Sequence, residues 1–588
     1  MSGIKAGRAG CGESCAEGPV GPPPPRRHMA LSTTGRYAFQ RLVADGRARM
    51  TPRILASLVV LLAIVAAALF GWGGVGGPHR GVELSIVSGS ENRPLGALVQ
   101  DWARQEGAEV SMTWLGSVDI AREIEKGTAG AHDAVWPAHS MWIEFGDAQR
   151  VVKHDRSILR SPVALGLRRS IAERLGWIGR DDVTVQDIAA AAESGAFRLA
   201  MTSASQSNSG ASAYIGFLYA FAGDPDLLTL DHLADPQVRA RATDLFASVD
   251  RSSGSSGWLG EAFVAHPDRF DAMINYESVL IDTNRALVTA GREPLHVIYP
   301  ANGLAVADSP LGYVEKGDAS REAAFLSLQA HLLSPPVQAE LFASGRRAGL
   351  LGLSTTDAPP AVWNADWGLD PAREIAPVPT PARDVIREAL RLYQTALRKP
   401  SFTVWVLDVS GSMEGVPLTA LKQAMGLVLD PERAALLLLD PAPGDVTVVI
   451  PFSSAPGPAR RIDGADGAAL RSLLAEVEAL KAGGATDLYA ALGAALAVLE
   501  AAERDGSLDG RLPAIIALTD GASDETGRTA LLDRLQASAV GRDTPIHAIA
   551  IGKADERQLS ELNDRTVGRL FRADDDIAGA LRGARGYN

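Results

Sequence analysis

The sequence predicts an α/β protein with one apolar segment near its N-terminus, and three observations carry that prediction. From about residue 82 to the C-terminus, short apolar runs alternate with stretches of helix-forming character. The runs after residue 400 are almost continuously apolar, as strands covered on both faces of a parallel sheet must be. Residues 54–72, ILASLVVLLAIVAAALFGW, contain no charged side chain.

The chain has 588 residues, 46% hydrophobic and 22% charged. That length allows roughly three to four domains, and the apolar content is enough for several cores. The formal net charge is −13, with nine Lys and Arg against three acids in residues 1–53, so the remainder carries close to −19. A body this acidic repels polyphosphate, which argues against nucleic acid as a partner. Cys11 and Cys15, the only cysteines, precede the apolar segment. No disulfide framework, thiolate metal site or cysteine nucleophile can therefore be built beyond it.

Ile54 to Trp72 has the length of a membrane-spanning helix. Arg47, Arg49 and Arg53 precede it, whereas only His79 and Arg80 follow closely. The positive-inside rule then predicts a single-pass cell-membrane protein with a cytoplasmic N-terminus and its domains outside. A cleaved signal peptide is the alternative, but GWGGVGG offers no A-x-A cleavage pattern. Residues 1–53, basic and proline-rich at Pro22 to Pro25, read as disordered, and Met29 and Met50 are alternative starts.

Past a short glycine spacer, strands are expected at Val82–Val87, Val110–Trp114 and Ala134–Trp136, with helices at Pro94–Gln105 and Ile120–Lys126. This rhythm predicts a parallel sheet with helices on both faces. A proline-rich stretch, Ala358 to Pro381, marks a boundary, and a helix over Arg383–Leu397 leads into the last domain. There, strands are expected at Val404–Leu407, Val446–Ile450, Ala514–Leu518 and Ile546–Ile551. Helices are expected at Leu418–Leu429, Ala468–Lys481 and Leu488–Glu503. The organisation is thus 1–53 basic segment, 54–72 transmembrane helix, 82–350 middle domain, 351–400 linker and helix, and 401–588 last domain.

The strand before Asp408 runs straight into Asp408-Val409-Ser410-Gly411-Ser412. Alternation puts the carboxylate and both hydroxyls on one side of a loop at the carboxyl end of a strand, where open α/β sheets place ligands. These are hard oxygen donors suited to Mg²⁺, Mn²⁺ or Ca²⁺. Thr486, after Gly483-Gly484-Ala485, and Asp520, after the Ala514–Leu518 strand, occupy matching loops. The competing reading is that Asp408 and Ser410 only cap the following helix. DVSGSMEG, GGATDLYAAL and LTDGASDE resemble the three motifs of von Willebrand factor type A domains. That resemblance implies a Rossmann-like, doubly wound sheet and a metal-ion-dependent adhesion site at Asp408, Ser410, Ser412, Thr486 and Asp520. With few carboxylates on the cation, an open coordination position attracts an acidic side chain of a partner protein. The prolines in the loop Asp440–Asp445 depart from a regular route to the next strand.

In the middle domain, hydroxyl- and glycine-rich loops follow several expected strands: Ser88-Gly89-Ser90, Gly116-Ser117, Pro137 to Ser140 and Ser203 to Gly210. Each can present N–H groups and a hydroxyl to a polar ligand, or simply cap a helix. SPVALGLRRSIAERLGW (Ser161 to Trp177), INYESVLI (Ile274 to Ile281), Ile298 to Asn302 and Gly345-Arg346-Arg347 resemble two-lobed periplasmic solute-binding proteins. The resemblance implies two α/β lobes, a hinge, and a small polar solute between them. Candidate contacts are Ser88, Ser90, Ser117, Ser140, Ser207 and Tyr276, and Glu277 reads equally as a hinge salt-bridge partner.

The sequence contains no H-E-x-x-H, no G-x-x-x-x-G-K and no G-x-S-x-G pattern, so catalysis has no support from motifs. The expectation is a binding protein with a solute site and a Mg²⁺-dependent protein-binding site. The alternative is a structural adhesion or assembly factor whose middle domain is a degenerate scaffold.

Overall fold

The computed structural model describes residues 77–348, 358–520, 523–552, 554–566, 568–573 and 576–586. In the first lobe, Glu83–Gly89 pairs in parallel with Glu109–Leu115 and with Ala134–Trp136. Pro310–Val314 and Val152–Ser157 complete the five-stranded sheet in antiparallel register. In the second lobe, Leu159–Arg168 pairs antiparallel with Ala272–Tyr276 and Leu295–Ile298. Leu199–Thr202 runs parallel to Ala272–Tyr276 and to Val249–Ser253.

The all-parallel sheet expected for the middle domain is therefore replaced by two mixed sheets. The chain path explains the difference. Val152–Ser157 in lobe 1 continues directly into Leu159–Arg168 in lobe 2, and Val306–Ala307 returns to Pro310–Val314. Of these, Pro310–Val314 runs against Ala134–Trp136, and Leu159–Arg168 runs against Ala272–Tyr276. At the crossing, Ile158 N–H donates to Ser309 C=O (3.1 Å) and Ser157 Oγ donates to Asp308 C=O (2.5 Å). Ser309 itself holds φ +42°, a left-handed conformation costly for a residue with a Cβ.

The proline-rich boundary is not a loose tether. Trp363 and Trp367 are buried in the lobe 2 core, and Trp363 Nε1 donates to Phe342 C=O (2.8 Å). The expected helix follows as Arg383–Leu392 and widens into a π-helical turn, Tyr393–Leu397. Its apolar face joins the lobe 2 core, where the Tyr393 ring meets Tyr214 and Phe246 at centroid distances of 5.5 and 5.2 Å.

The last domain is a six-stranded sheet in the order Arg460–Asp463, Val446–Phe452, Ser401–Asp408, Leu512–Thr519, Ile546–Ala550, Leu570–Arg572. All pairs are parallel except the Arg460–Asp463 edge. Every residue of Ser401–Asp408 is buried. Alternation sends Phe402, Val404 and Val406 to one face, against Leu492, Leu496 and Leu499 of the helix Leu488–Asp505. Trp405 and Leu407 face the other way, towards Leu421 and Met425 of Val416–Leu429 and Leu581 of the C-terminal helix Ile577–Gly586.

The irregular Asp440–Asp445 loop has a structural purpose. It delivers the buried carboxylate of Asp445 to Arg398 (2.5 Å), Arg585 (3.3 Å) and the Ser401 N–H (2.8 Å). Burial alone would raise this carboxyl, but the Arg398 and Arg585 guanidiniums and the Ser401 N–H together outweigh it and hold the group well below the usual carboxylate range.

Ile54 to Trp72 and the basic segment 1–53 lie outside the described residues. Among the described residues no helix is long and apolar enough to cross a membrane. This corrects the expected single-pass membrane placement, which rested on that one apolar segment and on the charges flanking it.

Removing the Asp445 carboxylate strands two buried guanidiniums, so Asp445→Ala should lower unfolding free energy by about 3–5 kcal/mol in urea titrations. Because the folded pKa is depressed, the contribution is present above the ordinary carboxylate pKa and is lost as pH falls below it. The gap between wild type and Asp445→Asn should therefore narrow as titrations move from neutral pH to below about pH 4.

Candidate metal centre and interlobe cleft

Asp408 closes the central strand of the last domain, so its carboxylate stands at the carboxyl edge of the sheet. Its Oδ1 accepts the Ser410 N–H (2.8 Å) and its Oδ2 accepts the Thr519 hydroxyl (2.6 Å). Ser410 Oγ lies 3.1 Å from Ser412 Oγ, and Ser412 Oγ donates to Asp520 Oδ1 (2.8 Å). Four of the five sequence-predicted residues thus form one connected polar chain. The fifth, Thr486, is half-buried on the adjoining loop, which backbone bonds hold in place: Gly411 N–H to Gly484 C=O (2.9 Å) and Gly483 N–H to Val409 C=O (2.8 Å).

Gly484 is required at its position. It holds φ +87°, and a Cβ there would stand 2.9 Å from Ser454 Oγ and 3.1 Å from Ser453 Oγ. Those two serines and Thr519 escaped the sequence reading. Thr519 was legible as the neighbour of Asp520, but Ser453 and Ser454, just past the expected Val446–Ile450 strand, carry no pattern.

Burial raises the Asp520 carboxyl above its usual range, and the Asp408 charge adds to the rise against the opposing Ser412 hydrogen bond. Repulsion between two carboxylates lined with hydroxyls is what a hard divalent cation relieves, so the donor set fits Mg²⁺, Mn²⁺ or Ca²⁺.

The hydroxyls predicted in the middle domain divide by location. Ser88 is buried inside lobe 1 and accepts the Asn92 amide (3.3 Å). Ser117 accepts the Ala138 N–H (3.0 Å), and the Ser140 N–H donates to Asp308 (2.8 Å). Ser90 alone bonds across to the other lobe, while Ser207 and Tyr276 pair within lobe 2, Tyr276 lining the space between the lobes. Ser255 Oγ of lobe 2 donates to Ser90 Oγ (2.7 Å), Ser207 Oγ pairs with Ser256 Oγ (2.8 Å), and the Tyr276 hydroxyl accepts Asn208 Nδ2 (3.0 Å). Between the lobes remains a cavity of about 10 Å³ lined by Glu91, Asn92, Ser161, Tyr276, Ser278 and Ser309, among others. That is room for about one water molecule.

Glu91 is the functional candidate the sequence reading missed, although it follows the Ser88–Ser90 loop by one residue. Its carboxyl folds back over Gly89, where a Cβ would lie 1.9 Å from Oε1. That oxygen is buried with no hydrogen-bond partner. Burial pushes the carboxyl up to about 7. Glu91 also borders a wider groove of about 540 Å³ along the helices Ser256–Ala265 and Glu277–Thr289. Glu277 is a structural partner: buried, it binds Arg347 through both oxygens (2.8 and 2.9 Å) and accepts the Tyr299 hydroxyl.

Residues 84–347 match the family model of a bacterial extracellular solute-binding protein, and residues 403–522 match that of the von Willebrand factor type A domain. Both are families of binding modules. No curated protein matches the chain. A von Willebrand factor type A structure from Catenulispora acidiphila is 22% identical, covering 32% of this chain and 42% of its own, with a TM-score of 0.26. The chain therefore spans less than half of that structure's length. The sulfate-binding protein SubI from Mycobacterium tuberculosis H37Rv is 15% identical over 45% of this chain and 87% of its own, with a TM-score of 0.34. Iron-bound HitA from Pseudomonas aeruginosa is 16% identical over 53% of this chain and 98% of its own, with a TM-score of 0.38.

A carboxyl whose folded pKa is raised costs stability as pH climbs from its unfolded value to its folded one. Glu91→Gln should therefore stabilise the protein at pH 8, by on the order of 2–3 kcal/mol, and change little at pH 4. Thermal melts of both proteins across that range check the sign.

Proposed function

We propose that this protein is a binding protein with two recognition sites. The interlobe cleft takes a small polar ligand. The Asp408, Ser410, Ser412, Thr486 and Asp520 cluster holds a divalent cation, Mg²⁺ or else Mn²⁺ or Ca²⁺, and engages an acidic side chain of a partner protein. The observation that carries this reading is the hydroxyl-linked pair of carboxylates, Asp408 and Asp520, joined through Ser410 and Ser412 at the carboxyl edge of a parallel sheet. Bound there, a cation would offer an under-neutralised coordination position to an incoming carboxylate. Asp408, fixed by Thr519 and the Ser410 N–H, is the anchoring oxygen donor, while exposed Ser412 faces the side from which a partner approaches. No part of this reading needs the chain to turn over a substrate.

A second reading has its own observation. Ser90 and Ser255 already pair across the lobes, and the enclosed space is about 10 Å³. A scaffold that has given up its ligand would look the same, with the last domain alone engaging a partner in adhesion or assembly.

Isothermal titration of the purified chain with Mg²⁺ should give a heat of binding that Asp408→Ala abolishes. Equal binding by the two proteins would sink the metal assignment. Partner capture should succeed in Mg²⁺ and fail in EDTA. In a thermal-shift panel of oxyanions, sugars and amino acids, a rise in melting temperature would favour the ligand reading over the scaffold.

A further inference from the structure

The last domain is fixed to lobe 2 and reaches across to lobe 1. Its attachment to lobe 2 is broad. The helix Arg383–Leu392 shares the lobe 2 core, the Tyr214 hydroxyl donates to Ala389 C=O (2.9 Å), and Ser205 Oγ donates to Gln394 Oε1 (3.2 Å). Lys399 Nζ donates to Val249 C=O (3.4 Å). Beyond it, Asp445 ties Arg398, at the end of this segment, to Arg585 of the C-terminal helix.

The same buried cluster takes in Val118, Ala121, Ala138, Met141 and Trp142 of lobe 1, so the lobes meet over apolar side chains. The last domain's own contact with lobe 1 is narrower and charged. Arg582, on the same C-terminal helix, stands 2.7 Å from Asp119 of lobe 1, with side chains only 8% and 14% exposed. The two atoms form an ion pair by proximity, without hydrogen-bond alignment. The Arg582 carbonyl accepts the side-chain amide of Gln206 from lobe 2. The Gln206 carbonyl in turn accepts the Val118 N–H of lobe 1 (3.4 Å). Gly116 makes this approach feasible, since a Cβ there would lie 2.2 Å from the Gln206 oxygen. One arginine therefore sits where both lobes and the last domain meet. A second bridge lies nearby in kind: the guanidiniums of Arg383 and Arg387 stack over Phe145 of lobe 1 at 5.6 and 5.8 Å.

We propose that the last domain is a clasp on the interlobe cleft, carried by lobe 2 and holding lobe 1 shut through Arg582 on Asp119. The inference rests on reading the cleft as a site that opens and closes around a ligand. Rotation of lobe 1 about the crossing strands near Ile158 and Ser309 separates Asp119 from Arg582, because the arginine stays with lobe 2. Cleft opening and release of the C-terminal helix from lobe 1 are then one equilibrium. A buried pair broken from one side leaves an uncompensated charge in the closed state and not in the open one, so either single variant shifts the balance towards open.

The test is a distance between lobes in the full chain without added ligand. With Cys11→Ser and Cys15→Ser, spin labels placed at Gln105→Cys in lobe 1 and Gln237→Cys in lobe 2 report it by pulsed electron resonance. The expected result is one distance for the parent, and an added longer-distance population for Asp119→Asn and for Arg582→Gln, as the closed-to-open ratio falls by roughly tenfold or more. The charge swap Asp119→Arg with Arg582→Asp should restore the parent distribution. Circular dichroism confirms folding of each variant, and if one fails to fold the other carries the comparison. An unchanged distribution in a folded single variant, or a swap that does not restore, overturns the clasp. Because no ligand is present, that failure leaves the ligand reading standing, and a silent ligand panel leaves the distance result standing.

Discussion

A carboxylate surrounded by protein organises the far half of this chain. Asp445 receives the end of the linker segment at Arg398, the first N–H of the central strand at Ser401, and the C-terminal helix at Arg585. Ser401 and Asp408 are the two ends of that strand. Fixing one end in position and register therefore aims the other, and with it the loop that gathers Ser410 and Ser412. The two acids share a strand's length and divide the labour. One is satisfied completely by guanidiniums and N–H groups, while the other accepts only a hydroxyl and an N–H and retains lone pairs for a further partner.

Much of the last domain was legible because its signals are local. Near-continuous apolar runs located Ser401–Asp408, Val446–Phe452 and Leu512–Thr519 to within a few residues. The D-x-S-x-S spacing located a loop whose geometry follows from one strand end. Thr486 and Asp520 were found in matching strand-end loops, and those loops do stand beside the first one. Ser453 and Ser454 were not legible, because their approach depends on how neighbouring strands line up.

The middle domain was harder to read for a physical reason. The chain passes from one sheet to the other through consecutive strands, so the strand direction inferred from the βαβ rhythm fails at Leu159–Arg168 and Pro310–Val314. Hydroxyl-rich loops were found, yet Ser88, Ser117 and Ser207 serve their own lobe while Ser90 meets the other. Sequence shows that a loop is polar, but which lobe it faces is decided by tertiary packing. Glu91 was hidden for the same reason: nothing in its neighbours announces that its carboxyl will fold over Gly89 and lose water.

Gly116 has a wider meaning than close packing. The distance between the lobes at this point is set by the absence of a single methyl group, since any Cβ would press on the Gln206 carbonyl. The resting posture of the two lobes thus depends on one codon. A substitution here would change how closely the lobes meet without altering any hydroxyl that lines the space between them. Posture and chemistry are inherited separately here, and selection can act on the first while leaving the second untouched.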